Sequence, residues 1–382
     1  MQPVYLDYAA TTPMDPRVAE AMLPYMTVCY GNPSSLHGFG QRARSAVARA
    51  RAQVAELLGA QPAEIFFTSG GSESDNWALR GLAQANCGKG NHIITSQIEH
   101  HAVLHTMASL EKSGFHVTYL PVDSQGRVSV QKLEQAINDE TILISIMAAN
   151  NEVGTLEPLA EIGALAKRYG ICFHTDAVQA AGHMPLDVRQ LAVQAMSVSA
   201  HKFYGPKGMG ALYLRQGSSI VPYLLGGAQE RGMRAGTENV PGIVGMGKAA
   251  EIAVQTMQEE NYHLCRLRDF LLCELQHIPE AWVNGSLEYR LSGNVNFGVR
   301  NISNDVLLLR LDLAGFAVSG GSACSAGAIE PSHVLLAMGQ TEGEANAAIR
   351  VTIGRHTTRE QLESFLFSLK NIIADIKQKQ EF

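Results

Sequence analysis

The residues best suited to chemistry stand directly after short apolar runs that predict buried strands. Asp176 ends the run "ICFHTD", and a carboxylate there is unfavourable unless it has a partner. Lys202 follows a later run, in "VSAHKFYGPKGMG", with Ser199 and His201 beside it. A lysine in a desolvated pocket has a lowered pKa and becomes a nucleophile able to form a Schiff base, whereas most loop lysines are simply exposed. The setting of Lys202 at adjacent strand ends favours the nucleophile.

A glycine turn precedes a predicted helix in "FFTSGGSESDNWALRGLA". Gly70, Gly71 and Ser72 can present backbone N–H groups at the helix N-terminus, where an anion is favoured. The alternative is a tight turn in which Ser72 caps the helix and Asp75 complements its dipole. Because the stretch is neither GxGxxG nor a Walker loop, it indicates neither a dinucleotide nor a nucleoside triphosphate.

Three histidines lie close together in "SQIEHHAVLHT". His101 and His105 are four residues apart and would share a helix face, but a zinc site needs a third ligand, and the HExxH glutamate is missing. His100 comes just after a predicted strand end. We therefore expect His100 to act in acid–base catalysis or to stack on a flat cofactor, and we predict no metal.

Strands and helices alternate from about Arg42 to Leu214. The helical spacing of "RARSAVARARAQVAELLGA" ends at Gly59, which suits a C-cap. The runs that predict strands are "EIFFTS", "HIITS", "HVTYLPV", "ILISIMAAN", "ICFHTD", "AMSVSA" and "ALYLR". This alternation predicts an α/β fold with a largely parallel sheet covered by helices, and ligands of such sheets lie at the carboxyl ends of the strands.

The rest of the chain predicts a second unit. Two helical patterns, roughly 240–257 and 262–277, precede a smaller α+β segment with the strands "NVNFGV", "FAVS" and "AIRVTIG". We predict a large domain formed by residues 15–257. Residues 1–14 and 258–382 are predicted to form a small domain.

One cysteine has unusual neighbours. Cys324 lies in "VSGGSACSAG", where glycine, serine and alanine offer little to pack against, although cysteine usually packs as a small hydrophobe. Gly320, Gly321 and Gly327 lower the free energy needed to move the backbone. The stretch therefore predicts a thiol on a mobile loop, and only its thiolate form would be nucleophilic.

Composition limits the class of protein. The chain of 382 residues is 46% hydrophobic, enough for a packed core in more than one unit. A net charge of −6 argues against general binding to nucleic acid or membranes. Six scattered cysteines without a CxxC pair favour reduced thiols, with Cys172 and Cys273 predicted in the core. Without a signal segment or a long apolar run, we expect a soluble cytoplasmic protein.

A phosphate turn, a lysine amine and a carboxylate at neighbouring strand ends are the parts that bind pyridoxal phosphate (PLP). With these residues assembled, the chain resembles the cysteine desulfurases, PLP enzymes of the aspartate-aminotransferase fold (fold type I). It is most similar to the group that serves nitrogen fixation and iron–sulfur cluster assembly. The motifs that carry the resemblance are "YLDYAATTP", "GNPSSLHGFG", "FTSGGSESDN", "EHHAVL", "NNEVG", "HTDAVQ", "SAHKFYGPKGMGALY", "ERGMRAGTEN", "SGGSACSAGAIEPSHVL" and "IRVTIGR".

The resemblance implies a role for each matching residue around the PLP ring. Lys202 is expected to bind PLP covalently, Asp176 to pair with the ring nitrogen and His100 to stack on the ring. Gln179 is expected near the ring hydroxyl, and Asn151 beside the ring and the substrate.

The two anionic groups of cofactor and substrate are assigned in the same way. The residues expected at the phosphate are Gly71, Ser72, Ser199 and His201, joined by Thr237 from a partner subunit. Relatives commonly have Ala-Thr at the Gly71–Ser72 positions, but the hydroxyl survives here. Arg350 is expected to bind the substrate carboxylate as a bidentate fork.

The implied activity is removal of sulfur from L-cysteine, giving L-alanine and a persulfide on Cys324. Lys202 would move the α-proton and His100 a proton at the substrate thiol. The implied partners are a second copy of the chain and a sulfur acceptor, such as an iron–sulfur scaffold or a component of tRNA thiolation. An aminotransferase, a selenocysteine lyase and a scaffold without activity are the alternatives.

Overall fold

A computed structural model describes residues 3–320 and 331–380. The helices are α1 (Pro16–Thr27), α2 (Gly38–Leu57), α3 (Gly71–Asn86), α4 (His101–Glu111), α5 (Val130–Ala136), α6 (Leu159–Tyr169), α7 (Val240–Leu275), α8 (Asn304–Leu313), α9 (His333–Ala337), α10 (Glu342–Ala345) and α11 (Arg359–Gln380). The strands are β1 (Val4–Tyr5), β2 (Ile65–Thr68), β3 (His92–Ser96), β4 (His116–Leu120), β5 (Thr141–Ser145), β6 (Cys172–Asp176), β7 (Ala195–Ser199), β8 (Gly210–Leu214), β9 (Ala281–Asn284), β10 (Asn294–Val299), β11 (Phe316–Ala317), β12 (Ser319–Gly320) and β13 (Ala348–Thr352).

A seven-stranded sheet, in the order β2-β8-β7-β6-β5-β3-β4, forms the centre of the larger unit. Only β8 runs against its neighbours in this sheet, and the other pairs are parallel. Both faces are covered: Ile94 and Ile144 pack into one hydrophobic cluster, while Ile93 and Leu143 pack into another. Burial on both faces explains the continuous apolar runs. The predicted α/β fold with a largely parallel sheet is confirmed, and all seven runs form its strands.

Helix α7 is continuous over Val240–Leu275, so the prediction of two helices is wrong. The polar stretch Gln258–Asn261 interrupts the apolar pattern but contains no glycine or proline, and glutamate and glutamine are strong helix formers. The first half of α7 packs in the core of the larger unit, and residues from Leu264 to Leu275 pack in a separate cluster. One rigid helix therefore joins the two cores.

The second cluster belongs to a smaller unit built on the antiparallel sheet β12-β13-β10-β9. The N-terminal strand β1 pairs with β11 in parallel, and Val4 and Leu6 are buried in the same cluster. The predicted strand "FAVS" is divided between β11 and β12, which belong to different sheets. Division of the chain into domains at 14/15 and 257/258 stays a prediction. The separation of the two hydrophobic clusters supports it.

Two predictions about single residues have opposite outcomes. Gly59 follows α2 with φ +64°, the left-handed conformation expected of a C-terminal glycine. Cys273, predicted in the core, is exposed, and Cys172 is only partly buried.

Within residues 3–320 and 331–380, no helix combines the length and the apolar character that crossing a membrane requires.

Close packing of α6 against the turn before β7 yields a stability prediction. A Cβ added at Gly163 would overlap the carbonyl oxygen of Leu191, whereas one added at Gly88 would meet nothing within 4 Å. We expect Gly163→Ala to lower the free energy of unfolding by about 1–3 kcal/mol, because the helix must move outward. Chemical denaturation of both variants checks this, and equal stability of Gly163→Ala and Gly88→Ala would contradict the packing.

Candidate active site

A cavity of about 450 Å³ lies where strands of the large sheet end. The larger unit lines it with Gly71, Ser72, Asp75, His100, His101, Met147, Ala149, Asn151, Glu152, Asp176, Val178, Gln179, Ser199, His201 and Lys202. The N-terminal segment and the smaller unit add Ala9, Ala10, His333 and Arg350. Most of these residues follow β2, β3, β5, β6 and β7 directly, as the topology of a parallel sheet requires.

Asp176 is buried at the end of β6. Its Oδ1 accepts a hydrogen bond from the backbone N–H of Val178 at 2.9 Å. Burial raises the pKa of Asp176, while the charges of His100 and Lys202 and the Val178 bond oppose that rise. The compensating groups come from the turn that follows β6 and from the loops after two other strands, so the fold itself holds this carboxylate in the interior.

Lys202 lies in a single helical turn, Ala200–Lys202, directly after β7. Its Nζ donates to the carbonyl oxygens of Ala9 at 2.5 Å and Ala10 at 2.8 Å. The adjoining Thr12 accepts the backbone N–H of Tyr204 at 2.9 Å. The N-terminal segment therefore crosses this edge of the sheet and positions the amine in the cavity.

His100 is the N-cap residue of α4, and its Nδ1 accepts the backbone N–H of Ala102 at 3.1 Å. An Nδ1 that accepts carries no proton, so the proton of the neutral ring is on Nε2. This bond selects the tautomer of the neutral ring in which Nε2 carries the proton.

An anion site is formed by the start of α3. Gly70 is the N-cap and Ser72 lies within the helix, so the alternative in which Ser72 caps the helix is wrong. A Cβ at Gly71 would lie 2.5 Å from Cγ2 of Val178, so in this chain an alanine there would require the helix or Val178 to shift. Ser72 and Gly71 both line the cavity at the positive end of a 16-residue helix.

Two further anion donors face the same cavity, and one predicted donor does not. Ser199 ends β7, and His201 lies in the following turn with Nδ1 3.1 Å from the Thr11 hydroxyl. Burial and the charges of Lys202 and a second lysine lower the pKa of His201 to about 4, so its ring is neutral. Thr237 lines a separate cavity beside Glu230 and does not reach these residues within one chain.

Arg350 is buried on β13 and is held from two sides. Nη1 donates to the carbonyl oxygen of Asn151 at 3.1 Å, and Nη2 to Oδ1 of Asp7 at 2.9 Å. Its Nε is buried without a hydrogen-bond partner among the described residues. A guanidinium with an unused donor beside a cavity fits a carboxylate ligand.

Gln179 and Asn151 reach the cavity as well. Gln179 follows β6 by three residues and donates from Nε2 to the carbonyl oxygen of Ala9 at 3.0 Å. Asn150 serves a structural purpose: its Oδ1 accepts the backbone N–H groups of Glu152 and Val153. The turn built by Asn150 therefore presents Asn151 and Glu152 to the cavity.

An uncharged polar layer, which no sequence pattern indicated, lies behind Asp176. Asp75 is fully buried, and the acidic residue of the first turn is Glu73, so the dipole role expected for Asp75 is wrong. Burial and the nearby Asp176 raise the pKa of Asp75 well above its usual range. Burial lowers the pKa of His174 to about 3, and its ring nitrogens lie within 3.0 Å of two serine hydroxyls.

Three histidine rings lie together at the cavity. The ring of His101 stacks on that of His105 with centroids 5.1 Å apart, and lies 4.7 Å from that of His333. Within residues 3–320 and 331–380, no group of side chains has the arrangement needed to hold a metal ion. The position of His333 at the cavity was not predicted, although His333 belongs to a motif that carries the family resemblance.

Comparison with known proteins places the chain in a family. The aminotransferase class-V model matches residues 4–365, so the chain belongs to that family. It is 52% identical over 381 residues to a cysteine desulfurase IscS of Clostridium botulinum, covering 99% of this chain and 95% of that protein. A cysteine desulfurase IscS of Methanosarcina thermophila is 53% identical over 376 residues, covering 98% of this chain and 92% of that protein.

Solved structures with similar folds support the same family assignment. A NifS-like protein has a TM-score of 0.92 at 42% identity, with 98% of this chain and 100% of that chain covered. A structure of SspA in complex with cysteine has a TM-score of 0.80 at 40% identity, with 93% and 99% covered. The fold is thus that of the fold type I PLP enzymes, and the predicted fold class is confirmed.

Enzymes of this kind depend on PLP, and the residues present fit it. The close approach that Gly71 permits, the hydroxyl of Ser72 and the neutral His201 suit a phosphate. A lysine amine and a buried carboxylate line the same cavity, as the aldehyde and ring nitrogen of PLP require. Cys324, the remaining predicted catalytic residue, lies outside the described residues, as does the part of the predicted mobile loop that follows Gly320.

The packing of Gly71 on Val178 generates a prediction about cofactor affinity. We expect Gly71→Ala to weaken PLP binding about tenfold, because the added methyl group displaces the start of α3 from the phosphate site. Val178→Ala removes the obstructing methyl groups, so the double variant should regain most of that affinity. Equilibrium dialysis against PLP measures both effects, with Val178→Ala alone as the control. Full affinity in the Gly71→Ala variant would contradict the proposed site.

Proposed function

We propose that this protein is a cysteine desulfurase that converts L-cysteine to L-alanine and passes the sulfur to an acceptor. The observation that carries this proposal is one cavity that combines Lys202, Asp176 and the start of α3 with Arg350, which has a donor to spare. The similarity to named cysteine desulfurases over nearly the whole chain supports it. The homologues' names also support a role in iron–sulfur cluster assembly, with tRNA thiolation as a second destination for the sulfur.

The positions of the cavity residues suggest a separate role for each in the reaction. PLP, when bound, supplies a carbonyl carbon that reacts with amines and a ring that accepts electron density as the substrate loses its α-proton. Lys202 Nζ would hold PLP and move that proton, Asp176 would hold a proton at the ring nitrogen, and His100 would move a proton at the substrate thiol. Arg350 would orient the substrate through its carboxylate.

Cys324 would be the group that takes the sulfur. L-Cysteine and the Cys324 thiol give L-alanine and a Cys324 persulfide: one C–S bond breaks and one S–S bond forms, so no outside oxidant is needed. The described residues that border this segment support the assignment. Ser319, in β12, pairs with Arg350, and Ser332 donates a hydrogen bond to Glu152, and both partners line the cavity.

Product analysis tests this assignment. Incubated with L-cysteine and a thiol reductant, the wild type should release sulfide and alanine in equal amounts. Cys324→Ala should lose sulfide release because the sulfur has no acceptor, and Lys202→Ala should lose both products together with the visible absorbance of bound PLP. Undiminished sulfide release from Cys324→Ala would overturn the persulfide assignment.

The same assay separates the alternatives of the same fold. An aminotransferase would keep its activity in Cys324→Ala and would need a keto acid as co-substrate. A selenocysteine lyase would turn over L-selenocysteine and leave L-cysteine intact. An inactive scaffold would show no PLP absorbance.

We further propose that the protein acts in the cytoplasm as a homodimer whose subunits complete one another's sites. Thr237 does not line the cavity of its own chain, which supports a role in the site of the partner. Several large apolar side chains between residues 23 and 39 are exposed, which supports association with a second copy. They are Leu23, Met26, Val28, Tyr30, Leu36 and Phe39.

Subunit mixing tests the shared site. Lys202→Ala and Thr237→Val homodimers should each have low activity. A heterodimer of the two would contain one site with an intact Lys202 and an intact Thr237 from opposite chains, so co-expression should restore about half of the wild-type activity per dimer. No recovery in a purified heterodimer would show that Thr237 acts within its own chain.

A further inference from the structure

Glu152 lies at the junction of the two units. Its backbone carbonyl oxygen accepts the side-chain amides of Asn294 at 3.4 Å and Asn296 at 3.2 Å, both from β10. Its carboxyl Oε2 accepts the hydroxyl of Ser332, directly before α9, at 2.5 Å. The preceding residue, Asn151, holds Arg350 through its own carbonyl oxygen. Three segments of the smaller unit therefore fix Glu152 in the wall of the cavity.

The side chain is only 3% exposed, yet it lines the cavity beside Arg350. Burial raises the pKa of Glu152 to about 7, and the Ser332 hydroxyl and the charges of Arg350 and His100 keep it from rising further. The segments packed against it from β10 and before α9 contribute uncharged amide and hydroxyl groups, and His333 is the titratable residue of α9 that lines the cavity. Glu152 is therefore a carboxyl group able to change its charge near neutral pH.

The charges around Arg350 show why this matters. Asp7 already forms an ion pair with the guanidinium at 2.9 Å, which neutralises its charge. If Glu152 were ionised as well, the charges of two carboxylates would act on one cation, and an incoming carboxylate would meet net negative charge in a poorly solvated site. If Glu152 is protonated, the site stays neutral and the guanidinium of Arg350 can bind the incoming carboxylate.

We propose that Glu152 is a positioning residue that couples substrate binding to a proton: a carboxylate binds at Arg350 together with a proton that Glu152 takes up from the solvent. The inference rests on the proposed function only in assigning Arg350 to the substrate carboxylate. No bond other than the O–H bond of Glu152 forms or breaks in this step, and the proton comes from the buffer.

The direction of the pH dependence follows from linkage. A bound carboxylate raises the pKa of Glu152, so affinity is highest below the value of about 7 that holds without ligand. Affinity then falls as the pH rises, until the pKa of the complex is passed. A pKa difference of one unit corresponds to about a tenfold change in the dissociation constant.

Calorimetric titration of the PLP-loaded enzyme with 3-mercaptopropionate provides the test, because this probe has a carboxylate and a thiol but no amine. Titrations in buffers of different ionisation enthalpy count the protons taken up. Near pH 7, where Glu152 is about half protonated without ligand, the wild type should take up about half a proton or slightly less, and its dissociation constant should rise about tenfold between about pH 6 and about pH 8.5. Glu152→Gln should bind the probe with a dissociation constant that varies much less with pH and with less proton uptake.

Three further variants make the result specific. Glu157→Gln is the matched control, because Glu157 is also buried with a pKa raised to about 8 but does not line the cavity, and it should behave like the wild type. Ser332→Ala removes the hydroxyl that lowers the pKa of Glu152, so the pH midpoint should move upward. Equal proton uptake in the wild type and Glu152→Gln would overturn this inference and leave the proposed function intact. Unchanged binding in Arg350→Gln would instead overturn the carboxylate assignment within the proposed function, and with it this inference.

Discussion

The buried carboxylate at the end of β6 is the constraint on which the site depends. An ionised group in the interior needs opposite charge and hydrogen bonds close by, and Asp176 obtains them from the Val178 N–H, His100 and Lys202. These groups stand at the ends of different strands or in the loops that follow, so the parallel order of the sheet must bring them together. The polar layer formed by Asp75 and His174 lies behind, and it is uncharged because a second anion there would have no compensation.

The cavity has two sets of anion donors, and they come from different units. One is the start of α3 in the larger unit, and the other is Arg350 on β13 of the smaller unit. Two connections determine how these two sets of donors are placed relative to each other. The continuous helix α7 packs in both cores. The N-terminal segment contacts Arg350 through Asp7 and Lys202 through Ala9. A ligand with an anionic group at each set would thus contact both units at once.

Local sequence signals predicted the large sheet well, because each strand is a short apolar run and each polar residue follows its strand within a few positions. Non-local features were out of reach. The pairing of β1 with β11 joins Val4 to Phe316, and no local pattern indicates such a partner. The burial of Asp75 depends on the packing of α3 against the sheet, which no local pattern indicates, so its position in the first turns of a helix suggested a dipole-related role. The polar centre of α7 led to the wrong prediction of two helices. The apolar pattern is interrupted there, and the helix continues because the polar residues themselves favour helical backbone.

Charge balance around the cavity explains why Glu152, among several buried acids, is the one suited to exchange protons. Lys202 and Arg350 are balanced by Asp176 and Asp7, so a further ionised carboxyl group would be uncompensated. Burial accordingly raises the pKa of Glu99 to about 8, that of Glu152 to about 7, and that of Asp75 well above its usual range. Glu99 is held by Ser96 and the Met147 N–H, and it does not line the cavity. Glu152 has the pKa nearest neutrality of these groups and lines the cavity, so a carboxylate arriving at Arg350 changes its protonation first.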